Sequence, residues 1–418
     1  MTLNADKRVV VTGMGALSPL GLDMPRTWDG IINGKSGGGP ITLFDCTRFD
    51  TKIAGEVKGY DPVNYLNRKE AKRMDRFTQF AVTAAQEALK NSGLQITEHN
   101  RDDIGVIVGS GIGGLISLSE QFTILHEKGP DRVSPFLVPM MIGDMAAAQI
   151  SITLGMRGIN YCTTSACSSG SDGIGTAYEI IKRGDCVAML AGGSEAVITP
   201  VAVAGFNSAR ALSTRNDDPL HASRPFDATR DGFLLSEGAC ILVLEDLDHA
   251  RRRGAAILGE IIGYGASSDA FHMTAPEDNG NGAIRAMKMA LHKANLQPSD
   301  IDYVNAHGTS THLNDKIETK AIKEVFGDHA KKMAVSSTKS MTGHMVGAAG
   351  AIEAAFCLLA IKNGVIPPTI NYTTPDPECD LDITPNTARK AAIKTALSNA
   401  FGFGGHNSVL VLRKFEEA

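Results

Sequence analysis

One cysteine has the setting of a nucleophile. Cys167 lies in the small-residue stretch YCTTSACSSG, immediately before a pattern that predicts a helix from about Ser169 to Arg183. A thiol at a helix N-terminus meets the positive end of the helix dipole and free N–H groups, which favour the thiolate near neutral pH. We therefore predict that Cys167 is a nucleophile and not an inert buried thiol. The cysteines in apolar runs are predicted to be buried and inert: Cys162, Cys186, Cys240 and Cys357.

Two histidines lie in small-residue loops farther along the chain. His307 ends the apolar run of VNAHGTSTHLND (304–315), and a glycine and three hydroxyl residues follow it. The segment VSSTKSMTGHMVGAAGAIEAAF (335–356) brings Lys339 and His344 into a glycine-rich turn, ahead of a helical pattern that carries Glu353. A single loop histidine is more often structural than catalytic. Two such histidines together with a candidate nucleophile favour one shared catalytic site.

A glycine-rich segment near the C-terminus could supply backbone donors. NAFGFGGHN (399–407) places three glycines around Phe401 and Phe403. Glycines there permit unusual backbone angles, so a backbone N–H can point at a developing oxyanion. A plain turn is the alternative interpretation, because glycine-rich loops are common in proteins.

The elements that would position these residues alternate along the chain. Short apolar runs end in glycine clusters, as in VVVTGMG and IGVIVGSGIGG, which is typical of buried strands that lead into sharp loops. Helical patterns lie between them, including 77–92 and 283–295, with apolar residues spaced three and four apart. The alternation predicts an α/β architecture.

The sequence also indicates a duplicated unit. EALKNSGLQ (87–95) followed by DDIGVIVGSGIGG resembles MALHKANLQ (289–297) followed by SDIDYVNAHGTST, and AYEIIKRGD (177–185) resembles CLLAIKNGV (357–365). We predict an N-terminal half at 1–255 with the nucleophile and a C-terminal half at 256–418 with the histidines, the lysine and the glycine-rich loop. If the unit is duplicated, the loops GSGIGG and AHGTST should meet at one cleft within one fused core. Chance likeness between amphipathic helices is the alternative.

Composition excludes several classes of protein. The 418 residues are 43% hydrophobic and 21% charged, which is typical of globular proteins and not of disordered or fibrous ones. A formal net charge of -5 gives no overall attraction for nucleic acid or an anionic membrane. Seven cysteines without a CxxC pair fit neither a disulfide framework nor a zinc site, and they favour a reducing compartment. We see no signal peptide and no run of ~18 apolar residues, so we expect a cytoplasmic protein without a metal site.

Four separated motifs together resemble those of a known family. SACSSG around Cys167, HGTST around His307, KSMTGHMVGAAG around Lys339 and His344, and GFGGHN near the C-terminus resemble the β-ketoacyl-acyl-carrier-protein synthases of the Cys-His-His type. The likeness covers essentially the whole chain, and HGTST followed by LND, HMTAP (272–276) and GFGGHN are most similar to the elongating, synthase II branch. The resemblance implies a thiolase-like α/β fold, with two similar halves in a five-layered α-β-α-β-α sandwich, normally a homodimer.

The resemblance also implies a reaction and residue roles. An acyl group would pass from acyl carrier protein to Cys167, malonyl-carrier protein would lose its carboxylate, and the resulting carbanion would attack the acyl thioester. No cofactor is needed, because phosphopantetheine arrives on the carrier protein. By this resemblance, the N–H groups of Cys167 and Phe403 would donate to the oxyanion, His307 and His344 would donate to the enolate, and Lys339 with Glu353 would position the histidines. Substrate would bind to Thr309, Thr311 and Thr274. Phe403 would gate the acyl pocket, and Ile112 and Phe136 would line it.

A basic run offers a docking surface for an acidic carrier protein. NRKEAKRMDR (67–76) supplies Arg68, Lys69, Lys72, Arg73 and Arg76, and Arg210 lies in another loop. Such a patch could steer an acidic partner despite the net negative charge. A solvated helix face is the alternative interpretation of each single residue.

The chain departs from the family pattern at a few positions and leaves alternatives open. His312 follows HGTST where the family often has proline, Ser165 replaces a usual threonine, and Ser236 and Cys240 stand where glycines are typical. A biosynthetic thiolase would carry a second cysteine, which GFGGHN lacks, and a non-catalytic partner of a condensing enzyme should lack the nucleophile. A polyketide-type ketosynthase stays open, as do the acyl chain length and a structural monovalent cation.

Overall fold

The structure, a computed structural model, describes residues 7–417. Its strands are β1 Val9–Leu17, β2 Gly39–Pro40, β3 Ile53–Ala54, β4 Ile104–Gly109, β5 Asn160–Tyr161, β6 Ala188–Glu195, β7 Gly238–Asp246, β8 Gly259–Ser268, β9 Tyr303–Asn305, β10 Ala334–Ser336, β11 Val365–Ile366, β12 Arg389–Lys390, β13 Thr395–Gly402 and β14 His406–Arg413.

Helices connect most of these strands. They are α1 Met24–Ile32, α2 Arg68–Ala71, α3 Arg76–Ser92, α4 Leu115–Lys128, α5 Leu137–Met141, α6 Met145–Leu154, α7 Ser169–Arg183, α8 Pro200–Ser208, α9 Leu247–Arg252, α10 Asn281–Ala294, α11 His312–Phe326, α12 Lys339–Thr342 and α13 Ala349–Asn363. The predicted helices at 77–92 and 283–295 correspond to α3 and α10, and the helix predicted from Ser169 to Arg183 is α7.

The main sheet consists of two equivalent five-stranded parts. Its strand order is β10-β9-β13-β14-β8-β1-β7-β6-β4-β5. Outward from the centre, β8-β14-β13-β9-β10 on one side corresponds to β1-β7-β6-β4-β5 on the other. The two parts join where Val9–Val11 pair antiparallel with Gly259–Ile261. One sheet therefore crosses the proposed boundary at 255/256, which lies between α9 and β8.

The three largest apolar cores fill the four interfaces between five layers, because the central layer of α7 and α13 shares one core with the strands on both sides. The first core packs α3 and α6 against the strands of the N-terminal part, and the third packs α10 and α11 against those of the C-terminal part. Between them, α7 and α13 contact each other and strands from both parts, including β6, β7, β8 and β14. This arrangement confirms the predicted five-layered α-β-α-β-α sandwich.

The two central helices approach each other through glycines. A Cβ on Gly170 would lie 2.6 Å from the carbonyl oxygen of Gly347, and a Cβ on Gly350 would lie 2.8 Å from the Cβ of Ser171. Side chains at these two positions would force α7 and α13 apart. α7 begins two residues after Cys167 and α13 begins five residues after His344, so the close packing of these helices places both candidate residues in one region.

The apolar character of α13 makes it resemble a membrane span. The segment Val346–Asn363 is long and apolar enough to cross a membrane, contrary to our expectation that no stretch would be, but 83% of it is buried inside the fold. It is the central helix of a large core, and core helices and membrane spans share this composition.

Candidate active site

Cys167 lies in a tight turn just before α7. The turn is a 3₁₀ helix over Ala166–Ser168, and Ala166 has a positive φ of 51°. Burial raises the pKa of the thiol to about 11, although Lys339 and the N–H groups of Phe403 and of Cys167 itself lower it, and the Glu195 carboxylate also raises it. The prediction of a thiolate at Cys167 is therefore wrong, because burial raises the pKa of the thiol more than the helix N-terminus lowers it. The thiol is protonated at neutral pH.

The two histidines lie side by side. The ring centres of His307 and His344 are 5.4 Å apart, with ring planes at 84°. His307 is 3% exposed and His344 is 2% exposed. The main chain fixes His344 on both sides, because its N–H donates to Leu234 at 2.7 Å and its carbonyl accepts from Ser236 at 2.9 Å.

Both histidines are neutral. Burial lowers the pKa of each ring well below its usual value, and the nearby Lys339 ammonium lowers the pKa further. Both Nδ1 atoms are buried and have no hydrogen-bond partner among the described residues. A proton on Nδ1 would bury an unpaired donor, so the proton belongs on Nε2. Each ring can then donate one hydrogen bond from Nε2.

Lys339 and Glu353 form a buried ion pair beside the histidines. Lys339 Nζ lies 2.5 Å from Glu353 Oε1, and both side chains are 1% exposed. Burial raises the pKa of Glu353 to about 7, although the ammonium of Lys339 opposes this shift. The Lys339 ammonium of this pair therefore adds to the effect of burial, which is the main cause of the lowered pKa of both imidazoles.

Replacing Lys339 by methionine should destabilise the protein strongly. The change leaves the Glu353 carboxylate buried without its partner, which typically costs ~3–5 kcal/mol of unfolding free energy. The loss should be larger at pH 8 than at pH 6. With Lys339 present, the carboxyl has a pKa of about 7, so at pH 8 it is ionised and paired. Without Lys339, which lowers this pKa, ionisation of the buried carboxyl costs more, and the two proteins differ most at the higher pH. Urea unfolding at both pH values measures this.

An exposed ion pair is the matched control. Lys35 and Asp29 lie 2.7 Å apart with side chains 60% and 58% exposed, so Lys35→Met should leave the unfolding midpoint nearly unchanged. A Lys339→Met protein that unfolds at the same urea concentration as the unchanged protein would show that the buried pair contributes nothing to stability.

A single cavity joins the candidate residues. It has a volume of about 340 Å³, and its lining includes Cys167, His307 and His344. The lining also includes the predicted contact residues Thr309, Thr311, Thr274, Arg210 and Phe403. His312, to which the sequence analysis assigned no role, lines the cavity as well. Three distant segments of the chain thus converge, as the motifs predicted.

Two residues that were predicted to line the acyl pocket lie outside the cavity of the chain. Ile112 is 43% exposed and Phe136 is 38% exposed, and neither lines this cavity. The loop GSGIGG also lies outside the lining, so the prediction that it meets AHGTST at one cleft is wrong. Gly111 instead packs against Glu195 and Val346, behind the nucleophile turn.

The other cysteines are free, as expected of a protein without disulfides. Cys186, Cys240 and Cys357 are buried, which confirms their predicted placement. Cys162 is only half-buried, contrary to prediction, because it follows the short edge strand β5 rather than a central strand.

The sequence did not identify Glu318, which holds the His307 loop. Glu318 is 1% exposed and accepts hydrogen bonds from the N–H groups of His307 and Gly308, each at 2.8 Å. It also accepts from Asn399 Nδ2 at 3.0 Å. The carboxylate therefore links α11, the histidine loop and β13. Its place on a predicted amphipathic helix gave no signal of this contact.

Several buried oxygen atoms around the ion pair have no partner among the described residues. They are Asn305 Oδ1, Glu353 Oε2, Ser398 Oγ and Asn399 Oδ1. β9 and β13 place Asn305 opposite Ser398. Unpaired buried oxygens of this kind fit an ordered water or a hard cation. The described residues contain no group of three or more His, Cys, Asp or Glu side chains that could hold a metal ion.

The predicted basic patch is exposed except at one end. Arg68, Lys69, Lys72 and Arg73 are accessible, and the Arg73 guanidinium stacks on the ring of Phe136 at 4.6 Å. Arg76 belongs to the interior, because its guanidinium pairs with the buried carboxylate of Glu237 at 2.7 Å. The exposed part of this run comprises Arg68, Lys69, Lys72 and Arg73, and Arg210, the other predicted member of the patch, is exposed and lines the cavity.

Comparison with protein families gives two adjoining matches. The model for the N-terminal domain of beta-ketoacyl synthases matches residues 6–250. The model for the C-terminal domain of the same family matches residues 258–373. Together these matches span most of the chain.

Curated relatives and solved structures agree with the family matches. The chain is 54% identical to a 3-oxoacyl-[acyl-carrier-protein] synthase 2 of Synechocystis sp. over 98% of this chain and 99% of the relative. It is 53% identical to the protein of the same name in Staphylococcus aureus, over 99% and 100%. A beta-ketoacyl synthase from Burkholderia phymatum superposes with a TM-score of 0.91 at 38% identity, over 98% and 100%. A type II polyketide ketosynthase in complex with its acyl-carrier protein superposes with a TM-score of 0.90 at 35% identity, over 98% and 100%.

Proposed function

The chain belongs to the β-ketoacyl synthase family, and we propose that it condenses malonyl-acyl carrier protein with an acyl thioester held on Cys167. The product is 3-oxoacyl-acyl carrier protein. The protein thus acts in fatty acid elongation as a 3-oxoacyl-[acyl-carrier-protein] synthase II. One observation carries the proposal: Cys167 and two neutral imidazoles, His307 and His344, line one cavity. The greater identity to the curated synthases than to the polyketide ketosynthase favours fatty acid over polyketide elongation.

In the first step, Cys167 takes the acyl group. Its sulfur attacks the thioester carbon of the acyl-carrier protein while the thiol proton passes to the departing pantetheine sulfur. The N–H groups of Cys167 and Phe403 already face the sulfur and would stabilise the oxyanion that forms on the thioester oxygen. Because the pKa of the free thiol is raised to about 11, the proton leaves during attack rather than before substrate binds.

In the second step, the histidines stabilise an enolate. The bond between the malonyl Cα and its carboxylate breaks, CO2 leaves, and the electron pair forms an enolate on the malonyl thioester. Nε2–H groups of His307 and His344 donate to the enolate oxygen. The enolate carbon then attacks the acyl thioester, a carbon–carbon bond forms, and the Cys167 sulfur leaves as a thiolate, which takes a proton from water to restore the thiol. Neutral imidazoles suit this role, because they donate without protonating the carbanion.

Cavity residues other than these three bind and orient the substrate. Thr309 and Thr311 lie 3.0 Å apart by their hydroxyl oxygens and, with Thr274, would hydrogen-bond the phosphopantetheine arm. The arm arrives on the carrier protein, so no separate cofactor is required. Phe403 at the cavity wall would gate the acyl chain.

We also propose a homodimer. Large apolar side chains are exposed together on the N-terminal half: Ile112, Phe122, Leu125, Phe136, Val138, Ile152 and Tyr161. The edge strand β5, which carries Tyr161, leaves its outer side unpaired in the sheet, and such edges are usually covered. A second copy on this face would bring Ile112 and Phe136 into an acyl pocket at the interface. Light scattering should then give twice the mass of the chain.

The basic patch would attract the carrier protein. Replacing Lys69 and Lys72 by alanine should raise the KM for acyl-carrier protein ~3–10-fold at low salt and change kcat little, because exposed charges mainly accelerate the encounter. A small acyl-pantetheine substrate should show no such change. Replacing the exposed Lys331 and Lys332, which do not line the cavity, is the control for the lost charge. Equal KM changes in both double variants would argue against a docking role for the patch.

The proposed reaction has a direct assay. The protein is incubated with malonyl- and acyl-carrier protein, and the release of CO2 and the 3-oxoacyl product are measured together. Both should appear in equal amounts. An absence of 3-oxoacyl product with both a short-chain and a long-chain acyl-carrier protein would refute the function. We place the enzyme in the cytoplasm, in keeping with its seven free cysteines.

A further inference from the structure

The two halves of the fold repeat the nucleophile turn. The 3₁₀ turns at Ala166–Ser168 and Val346–Ala348 lead directly into α7 and α13, and each of these helices has 15 residues. Both helices end at a glycine in the left-handed conformation, Gly184 and Gly364. The first residue of each turn has a positive φ, 51° at Ala166 and 45° at Val346. By this correspondence, Gly347 is the counterpart of Cys167.

A carboxylate fills the position that faces Gly347. Glu195 ends β6 and is 0% exposed. Its Oε2 accepts hydrogen bonds from the N–H groups of Gly347 at 3.0 Å and Gly111 at 2.7 Å. Two N–H groups also face the sulfur of Cys167, those of Cys167 itself and of Phe403. Only the Cys167 and Gly347 donors correspond, because Phe403 follows β13 whereas Gly111 follows β4. An oxygen of Glu195 lies between the converging N–H groups of Gly347 and Gly111.

The remaining contacts of Glu195 hold the neighbouring loop. Its Oε1 accepts from Ser110 Oγ at 2.9 Å and from the N–H of Ile112 at 3.3 Å. A Cβ on Gly347 would lie 2.7 Å from Glu195 Oε2 and 2.5 Å from the nitrogen of Gly111. No side chain fits at Gly347, so the position cannot hold a second nucleophile while Glu195 is in place.

Val346 explains why this contact matters for the site. A β-branched residue with positive φ is strained and keeps that conformation only when its surroundings impose it. Val346 lies two residues after His344, and the next N–H along the chain, that of Gly347, is the one that Glu195 accepts. Without that acceptor the N–H would be buried and unpaired, and the turn could relax.

We propose that Glu195 is a positioning residue for His344: its carboxylate accepts the hydrogen bonds of the Gly347 and Gly111 N–H groups and so holds Val346 and His344 in place. Burial raises the pKa of Glu195 to about 7, opposed by the hydrogen bonds from Gly111, Ser110, Gly347 and Ile112. The kinetic part of the test rests on the proposed function, whereas its structural part does not.

Two substitutions with side chains of similar length test whether Glu195 acts as a hydrogen-bond acceptor or only fills space. Glu195→Met keeps the volume and removes both acceptor oxygens, so malonyl decarboxylation should fall about 10²-fold, the scale expected of a catalytic group misplaced by ~1 Å. Glu195→Gln can keep its carbonyl oxygen on the N–H groups of Gly347 and Gly111, with its NH₂ donating to Ser110 Oγ and only the 3.3 Å hydrogen bond from the N–H of Ile112 lost. It should retain activity within about tenfold of the unchanged protein. Alkylation of Cys167 by iodoacetamide should be similar in the two variants, because both remove the Glu195 charge that raises the pKa of the thiol.

Glu87 supplies the matched control. It accepts backbone hydrogen bonds from Ala16 at 2.9 Å and Met24 at 3.0 Å, on the outer layer of the fold. Glu87→Met should leave decarboxylation within about twofold of the unchanged protein.

Crystal structures test the inference without reference to activity. In Glu195→Met, Val346 should leave the positive-φ region and the His344 ring should move away from His307, whereas Glu195→Gln should keep both. The inference is overturned if Val346 stays near a φ of 45° in the methionine variant, or if the glutamine variant is as impaired as the methionine variant. Failure of the unchanged protein to decarboxylate malonyl-carrier protein would refute the proposed function, and the crystals would still decide the role of Glu195.

Discussion

Replacing Cys167 by alanine is expected to abolish condensation. Without the sulfur no acyl-enzyme can form, and the loss should be on the order of 10⁶-fold in kcat, the scale on which another enzyme with a covalent intermediate loses activity without its nucleophile. Decarboxylation of malonyl-carrier protein should persist in this variant, because the donors for that step are His307 and His344. The 3-oxoacyl product and CO2 are measured in the same reaction.

Cys162 gives a matched control for this change. It lies five residues earlier, is half-buried and free, and does not line the cavity. Cys162→Ala should condense at nearly the rate of the unchanged protein. Retained elongation in Cys167→Ala would contradict the assignment of the nucleophile, whereas loss of both products would indicate a damaged site.

Replacing either histidine by alanine should slow decarboxylation strongly. Each imidazole supplies one of the two N–H donors to the developing enolate oxygen, and losing one such donor costs ~10²–10³ in rate. The rings lie only 5.4 Å apart by their centres, so both can reach one oxygen. CO2 release from malonyl-carrier protein, measured separately for His307→Ala and His344→Ala, tests this expectation.

Acylation should depend less on the histidines. The oxyanion donors of that step are the N–H groups of Cys167 and Phe403, so either histidine variant should still accept an acyl group. An exposed histidine on α10, His292, is the control, and His292→Ala should leave both steps unchanged. Normal decarboxylation in both site variants would mean that another group stabilises the enolate.

Local pattern predicted much of the site. The start of α7 follows from a small-residue stretch before an amphipathic helix, and the structure begins that helix at Ser169. The convergence of Cys167, His307 and His344 followed from four motifs that occur together in one family. The five-layered fold followed from the same resemblance and from the repeat between 177–185 and 357–365.

Long-range contacts decided what could not be predicted. The pKa of Cys167 depends on burial by segments far away in sequence, so the helix end alone gave the wrong direction. Glu195 and Glu318 accept hydrogen bonds from backbone N–H groups of loops that lie 84 and 11 residues away. A glutamate at the end of a strand or within a helix gives no sequence pattern that predicts such a partner. Ile112 and Phe136 lie on an exposed face, where a second copy of the chain would decide their surroundings.

The most direct test of the mechanism is to find where the acyl group resides. The protein is mixed with acyl-carrier protein in the absence of malonyl-carrier protein, quenched with acid, digested and analysed by mass spectrometry. The peptide that contains Cys167 should carry the mass of one acyl group and lose it when malonyl-carrier protein is added. An acyl group on any other residue, or 3-oxoacyl product without an acylated Cys167, would contradict the account.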